Sequence, residues 1–340
     1  MEEVATGVEK ASGRRLRREI GAIGLLFTSL GTIIGSGWLF ASLYAANEAG
    51  PASLISWAIG GAALILLALI HAELGSMFPL AGGSGRFPHF SYGSLVGFAV
   101  SWTTWIGFVA TPAIEVEAAL QYATNYIGWL TYTPLGASGH SAAVLTLPGF
   151  GVAVLLLIFF AAVNILGVRW LARTNNVIMW WKVSIPVVTA VVLLVGFFHP
   201  GNLTAHGGFA PFGMQGVLAG LAGGGVIFAL EGFEQAIQLA GEGRNPQRNI
   251  PIAVISSIII GAIIYILLQL SFLGALNPRD LAQGWNHLGP TGHAGIAFGP
   301  FAGLATSLGL GGLAILLYID AFVSPAGTGL IYFASSSRMS

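Results

Sequence analysis

The chain has no cysteine. This excludes disulfides, thiolate metal sites and a catalytic thiol. Charge is nearly as scarce: 8% of the 340 residues are Asp, Glu, Lys or Arg, against about 25% in soluble domains. Thirteen basic residues balance thirteen acidic ones, so no charge excess points to nucleic acid or any other charged partner. The first 19 residues lack a short apolar core with a small-residue cleavage site, so no removable signal peptide is read there. His71-Ala72-Glu73 has no second histidine at helical spacing and is not a metal pattern; neither a metal nor a cofactor is expected. What is abundant is apolar surface and glycine: 55% hydrophobic residues and 49 glycines. Several separate apolar runs of this kind describe an all-α, polytopic membrane protein.

Eight spans are predicted: Ile20–Ala46, Ala52–Phe78, Ser94–Ile127, Thr146–Leu166, Asn175–Phe198, Gln215–Ala240, Ile250–Leu276 and Pro300–Ala334. Residues 1–19 then form a cytoplasmic tail and 20–340 a single transmembrane domain in the lipid bilayer. With the N-terminus inside, Lys10, Arg14, Arg15, Arg17, Arg18, Arg86, Arg169, Arg173, Arg244, Arg248 and Arg338 all fall on the cytoplasmic side of the cell membrane. Only Arg279 falls outside, and Lys182 lies within the fifth span. That is the positive-inside bias, which a missed span would scramble.

Two spans are interrupted. The first carries Gly31-Thr32-Ile33-Ile34-Gly35-Ser36-Gly37, and glycine in a helix interior costs about 1 kcal/mol relative to alanine. An opened backbone in lipid is tolerated only where it is buried in protein or lines a polar cavity. The stretch therefore reads as a helix broken at mid-membrane, with a second half-helix opening at Gly35, Ser36 and Gly37; close helix packing is the competing use of such glycines. The sixth span repeats the pattern with Gly223-Gly224-Gly225 and Phe228-Ala229-Leu230-Glu231-Gly232-Phe233-Glu234. The two spans cross in opposite directions. Interrupted helices at matching positions of inverted halves point to a transporter's central site.

Four motifs carry a family resemblance: Gly31 to Gly37; Ala72-Glu73-Leu74-Gly75 with Phe78-Pro79 and Gly82-Gly83; Asn164 to Gly167 with Asn175-Asn176 and Lys182; and Gly232-Phe233-Glu234 followed by Gly241 to Pro251. On these residues the chain resembles the amino acid–polyamine–organocation permeases, which have a LeuT-type inverted-repeat fold. Within them it is similar to bacterial proton-coupled symporters of the aspartate type. The resemblance implies a complete first repeat and, because a five-plus-five repeat needs ten spans, a truncated second one, as in a fragment of a longer transporter. It also implies that Lys182 takes the place of a coupling sodium ion, that Glu73 belongs to the cytoplasmic gate region, and that Glu234 is structural.

Ionisable groups within spans cost at least about 2.5 kcal/mol at mid-helix, so each is weighed. Lys182 either snorkels to the inner surface or is a buried ammonium facing the first break, where it would carry a proton. Glu231 and Glu234, three apart, share a helix face; Glu231 would meet a substrate amine or hold a proton. It argues against an acidic substrate unless neutralised. Glu115 and Glu117 point to nearly opposite faces, so at most one faces a cavity. Asp320, about 27 Å before Arg338 along a helix, belongs to the outer half, where it would meet one of those acids or a water-filled vestibule. His140, His199, His206, His287 and His293 read as outer-segment polar residues, and Trp102, Trp105, Trp129 and Trp285 as interface markers.

The expected function is uptake of an amino acid or related amine with protons, by alternating access. The substrate carboxylate would rest on N–H groups of Gly35, Ser36 and Gly37, with Thr32 and Ile34 beside it. Its amine would meet carbonyls near Phe228 and Ala229, at the opposite partial charge. The alternatives are an exchanger of the same fold, a truncated non-transporting piece, a channel, which would repeat a filter, and an intramembrane enzyme, which would need a nucleophile–base pair or paired aspartates that are not seen.

Overall fold

Every backbone polar group inside lipid must find a partner within the protein, and helices satisfy this locally. The computed structural model, which describes residues 18–132, 144–166, 168–282, 284–288 and 299–339, is accordingly helical; among them, strand pairing is limited to Thr131–Tyr132 against Val144–Leu145 and an isolated bridge between Ile20 and Gly243. The tail through Arg17, Gly167, His140 and His293 lie outside the described residues, as do the side chains of Arg169, Arg173, Asn175 and Asn176.

In chain order the helices are α1 (Ala22–Ile33), α2 (Gly37–Ala49), α3 (Ser53–Met77), α4 (Gly83–Ala123), α5 (Leu147–Leu166), α6 (Val168–Gly196), α7 (Gly213–Ala222), α8 (Val226–Ala229), α9 (Gln235–Gln238), α10 (Pro246–Ala275), α11 (Pro300–Ser307) and α12 (Gly311–Ser336). Among the described residues, six stretches are long and apolar enough to cross a membrane: Gly37–Met77, Gly83–Ala123, Leu147–Ile165, Val177–Gly196, Pro246–Ala275 and Gly311–Ser336. The chain is thus a multi-pass membrane protein, with Ala22–Ile33 and Gly213–Ala222 as shorter apolar helices.

The central element is α10, which packs against α3, α1 and α6. Its buried side includes Ala253, Ser257, Gly261, Ala262, Tyr265 and Leu268, while Ile252, Ile259, Ile263 and Leu267 are exposed. Both faces are apolar, as expected where lipid replaces water; the small residues mark the side on which helices close up. α12 packs against α4, α6 and α5, and against α1.

Three element boundaries differ from the sequence reading. The stretch Pro300–Ala334 is not one helix: α11 ends at Ser307, Gly309 has φ +76°, and α12 starts at Gly311. Helix α6 begins at Val168, before the predicted Asn175, because polar residues are tolerated where a helix leaves the lipid. Residues 83–92 ahead of the third predicted span are also helical, separated from the rest of α4 by Gly93 (φ +79°).

Candidate functional site

The first interrupted run is broken. α1 ends at Ile33, and Ile34 takes ψ 72°. The Gly35 N–H turns back to the Ile33 carbonyl at 3.0 Å, and α2 begins at Gly37 with Ser36 as its N-cap. Side chains from four other helices complete the break. On α4, the Glu115 carboxylate accepts from the Ser36 N–H at 2.8 Å. From α6, Lys182 Nζ donates to the Gly31 carbonyl at 2.5 Å and to Thr328 Oγ1 at 2.8 Å. On α12, Thr328 Oγ1 donates to the same Gly31 carbonyl at 2.9 Å. From α10, Tyr265 OH donates to the Ile33 carbonyl at 2.8 Å. Opening a helix in a water-free interior frees groups that each need such a partner.

The second break lies against the first. α7 stops at Ala222, Gly225 has φ +73°, and a turn over 230–234 separates α8 from α9. Gly232 is required here twice over. Its φ is +113°, and a Cβ on it would stand 2.7 Å from Thr32 Cβ. Thr32 Oγ1 donates to the Gly232 carbonyl at 2.8 Å. Ser29 Oγ donates to the Phe233 carbonyl at 2.6 Å and accepts from the Ala236 N–H at 2.9 Å. The Glu234 carboxylate accepts from the Gly232 N–H at 3.0 Å, holding the turn. At the other end, a Cβ on Gly37 would stand 2.9 Å from Ala229 Cα. The two breaks are therefore in van der Waals contact.

Between them lies a cavity lined by Thr32, Ile33, Gly35, Gly37, Thr111, Glu115, Phe228, Ala229, Glu231, Thr328 and Tyr332. It leaves about 10 Å³ in which the centre of a water molecule can move, near the minimum for holding one water. The cavity is small, and exposed Phe228 and Glu231 stand at its rim. Of the predicted substrate residues, Thr32, Gly35, Gly37, Phe228, Ala229 and Glu231 line it. Ile34 is fully buried and is not part of the lining, and the Ser36 N–H is not bare but carries Glu115. Lys182, 1% exposed, sits behind Gly31 rather than snorkelling.

The other acids separate. Glu115 is buried and faces the site, while Glu117 is exposed on the opposite side of α4. Glu73 is exposed near the C-terminal end of α3 and away from the cavity. Asp320 meets neither acid nor vestibule: its carboxylate, fully buried, accepts from the Trp38 indole at 3.1 Å, the Trp181 indole at 2.8 Å and Ser324 at 2.9 Å. Trp285 is not an interface marker but is 1% exposed, its indole directed at the Ala205 carbonyl. Arg338 pairs with Glu242 at 2.9 Å, tying the end of α12 to the loop after α9.

Sequence reasoning passed over Thr328, Tyr265, Ser29 and the two indoles on Asp320. A signal existed for the first. Asp320, Ser324 and Thr328 recur at four-residue intervals in an apolar run, which is one polar stripe on one helix face. Ser29 and Thr32, three apart, form a similar stripe on α1. Tyr265, Trp38 and Trp181 carried none, because aromatic residues in spans are common whether or not they hydrogen-bond.

The amino acid permease family profile matches residues 20–340. The glutamate/serine transporter AimA of Bacillus subtilis is 43% identical over 330 residues, covering 96% of this chain and 59% of that protein. The aspartate-proton symporter of the same organism is 39% identical over 315 residues, covering 93% and 58%. A methylthioribose transporter from it is 31% identical over 281 residues, covering 81% and 59%. The chain thus spans somewhat under three fifths of the length of these relatives. With a match over nearly all of its own length and two helix breaks in contact at the cavity, the chain belongs to the amino acid permease family.

Proposed function

We propose that the chain forms the substrate- and proton-handling part of a secondary transporter that takes up an amino acid with protons by alternating access. In this reading it has eight crossings: α1 with α2, α3, α4 from Ser94, α5, α6, α7 to α9, α10 and α12. They take a LeuT-type arrangement whose second repeat is incomplete within the chain, with the N-terminus cytoplasmic and the protein in the cell membrane. The relatives' substrates favour an acidic or small polar amino acid. Its carboxylate goes to the N-terminal end of α2, where the helix dipole is positive, and its amine goes towards Glu231 and the carbonyls around Phe228 and Ala229.

The observation that carries the reading is Lys182. Its ammonium stands at the end of α1, where it joins α1 to α6 and, through Thr328, to α12. Charge-assisted bonds of this kind are about twice as strong as neutral ones. Loss of the Lys182 proton weakens both at once and frees α1 to move relative to α6 and α12. Proton occupancy and the position of the broken helix are thereby linked, and no sodium ion is needed at that place.

The test is uptake of aspartate, glutamate and serine into proteoliposomes, with and without an inward proton gradient and with and without sodium. Saturable uptake that follows the proton gradient and ignores sodium is expected. Sodium-driven uptake, or flux that does not saturate, would overturn it.

A further inference from the structure

The seat expected for the substrate carboxylate is already taken by a carboxylate. Glu115 accepts from the Ser36 N–H at 2.8 Å, and its other oxygen lies over Gly35: a Cβ built there would stand 2.7 Å from Glu115 Oε1 and 2.9 Å from Thr328 Oγ1. The side chain lines the cavity rather than the lipid face. It comes from α4, not from the broken helix, and follows Pro112 by three residues. Pro112 has no N–H to donate to the Phe108 carbonyl, so α4 lacks one ladder bond in the turn before Glu115. The cavity beside it leaves about 10 Å³ for the centre of a water molecule.

We propose that Glu115 is an internal occupant of the substrate's carboxylate seat: in the empty protein it satisfies the Ser36 N–H, and a substrate loads by exchanging its own carboxylate for it. This rests on the transporter reading above. The exchange replaces one carboxylate by another on the same donor, so the broken helix is never left with an open N–H in a dry interior. It also sets specificity. An amine without a carboxylate cannot take over the donor, so it cannot release Glu115. Glu115 is therefore a specificity-determining residue, and its displacement is the first step of loading.

The experiment compares the unaltered chain with Glu115→Ala and Glu115→Gln. Binding of serine, aspartate and ethanolamine (serine without its carboxylate) is measured by titration calorimetry in detergent, and thermal unfolding is followed with and without sodium acetate. Alanine vacates the seat; glutamine removes the charge but keeps an acceptor oxygen on Ser36. Serine and aspartate are expected to bind Glu115→Ala about tenfold tighter or more, the scale of one charge-assisted bond no longer competed for. Glu115→Gln shows a smaller gain, and ethanolamine shows none in any form. Acetate raises the unfolding temperature of Glu115→Ala alone and competes there with serine.

Equal gains in the two variants would mean that removing a charge, not vacating a seat, is responsible, and would overturn the proposal. So would unchanged or weaker serine binding by Glu115→Ala together with no acetate effect, the behaviour of a fixed helix cap. Should Glu115→Ala fail to fold, the smaller gain in Glu115→Gln carries the measurement, and its absence is refuting. The acetate arm reads the seat with no substrate present. Acetate stabilisation alongside no serine or aspartate binding by the unaltered chain would support the seat while removing the transporter reading.

Discussion

Replacing Lys182 by methionine keeps a long apolar stem and removes the ammonium, which separates the charge at the break from the packing around it. The charge makes two bonds, to the Gly31 carbonyl and to Thr328, and hydrogen bonds to charged groups contribute about 1.5–3 kcal/mol each. Against them stands the cost of holding an ammonium that is 1% exposed, which is several kcal/mol for a buried ion. The Gly31 carbonyl is not orphaned by the change, because Thr328 still donates to it at 2.9 Å. The terms nearly cancel, so Lys182→Met should lie within about 2 kcal/mol of the unaltered protein in stability. Lys182→Ala also deletes the stem, which passes 3.4 Å from where a Cβ on Gly327 would sit. By analogy with buried Met→Ala changes it should lose about 2–5 kcal/mol. The assay pairs thermal unfolding with two transport modes in proteoliposomes: uptake driven by a proton gradient, and counterflow with substrate on both sides. Lys182→Met should abolish the first and retain part of the second at near-normal stability. Undiminished gradient-driven uptake by Lys182→Met would refute the assignment of Lys182 as the proton carrier.

Gly232→Ala places a Cβ 2.7 Å from Thr32 Cβ at φ +113°, and left-handed strain alone costs about 1–3 kcal/mol. It should lower the unfolding temperature and abolish uptake, and an unchanged melting curve would show that the second break does not press on the first. Asp320→Ala leaves the Trp38 and Trp181 indole N–H groups without the acceptor they share. Each buried orphan costs about 1–3 kcal/mol, so the loss should exceed that of Asp320→Asn, which keeps one oxygen. Equal losses in thermal unfolding would show that the carboxylate's charge, not its hydrogen bonds, matters there.

The helix breaks were legible because a run of some twenty apolar residues is a strong background against which glycine and polar residues stand out. The predicted start at Ser94 falls one residue after the non-helical Gly93, for the same reason. By contrast, the interruption between α11 and α12 was hidden. Leu308-Gly309-Leu310-Gly311-Gly312 is apolar throughout, and hydropathy does not distinguish a turn made of leucine and glycine from a continuing helix. In the site, the donors and acceptors on the backbone could be placed from sequence, but their tertiary partners could not. Nothing local says that Glu115 rather than Glu117 turns inward, since two residues apart on a helix fixes only that they diverge. Nor does the sequence show that the inward carboxylate reaches an N–H 79 positions earlier. The polar stripe Asp320, Ser324, Thr328 was readable, but only the fold reveals that its ends serve different partners: two indoles at one and the Gly31 carbonyl at the other.

The partners of the first break have a distribution that bears on how it works. Glu115 comes from α4, Lys182 from α6, Tyr265 from α10 and Thr328 from α12. A break stabilised by its own flanking residues would keep its hydrogen bonds however its neighbours moved. This one cannot, because Ile33 and Ser36 each depend on one other helix and Gly31 on two. Displacing α4 or α10 exposes the Ser36 N–H or the Ile33 carbonyl, and displacing α6 and α12 together exposes the Gly31 carbonyl, each at a cost of several kcal/mol in a dry interior. Only coordinated movements, or ones in which a substrate carboxylate or a proton supplies the missing partner, are accessible. In the proposed transport cycle, the atoms that recognise the substrate are thus the same atoms that hold the helices in register, and loading the site and rearranging the helices become a single event.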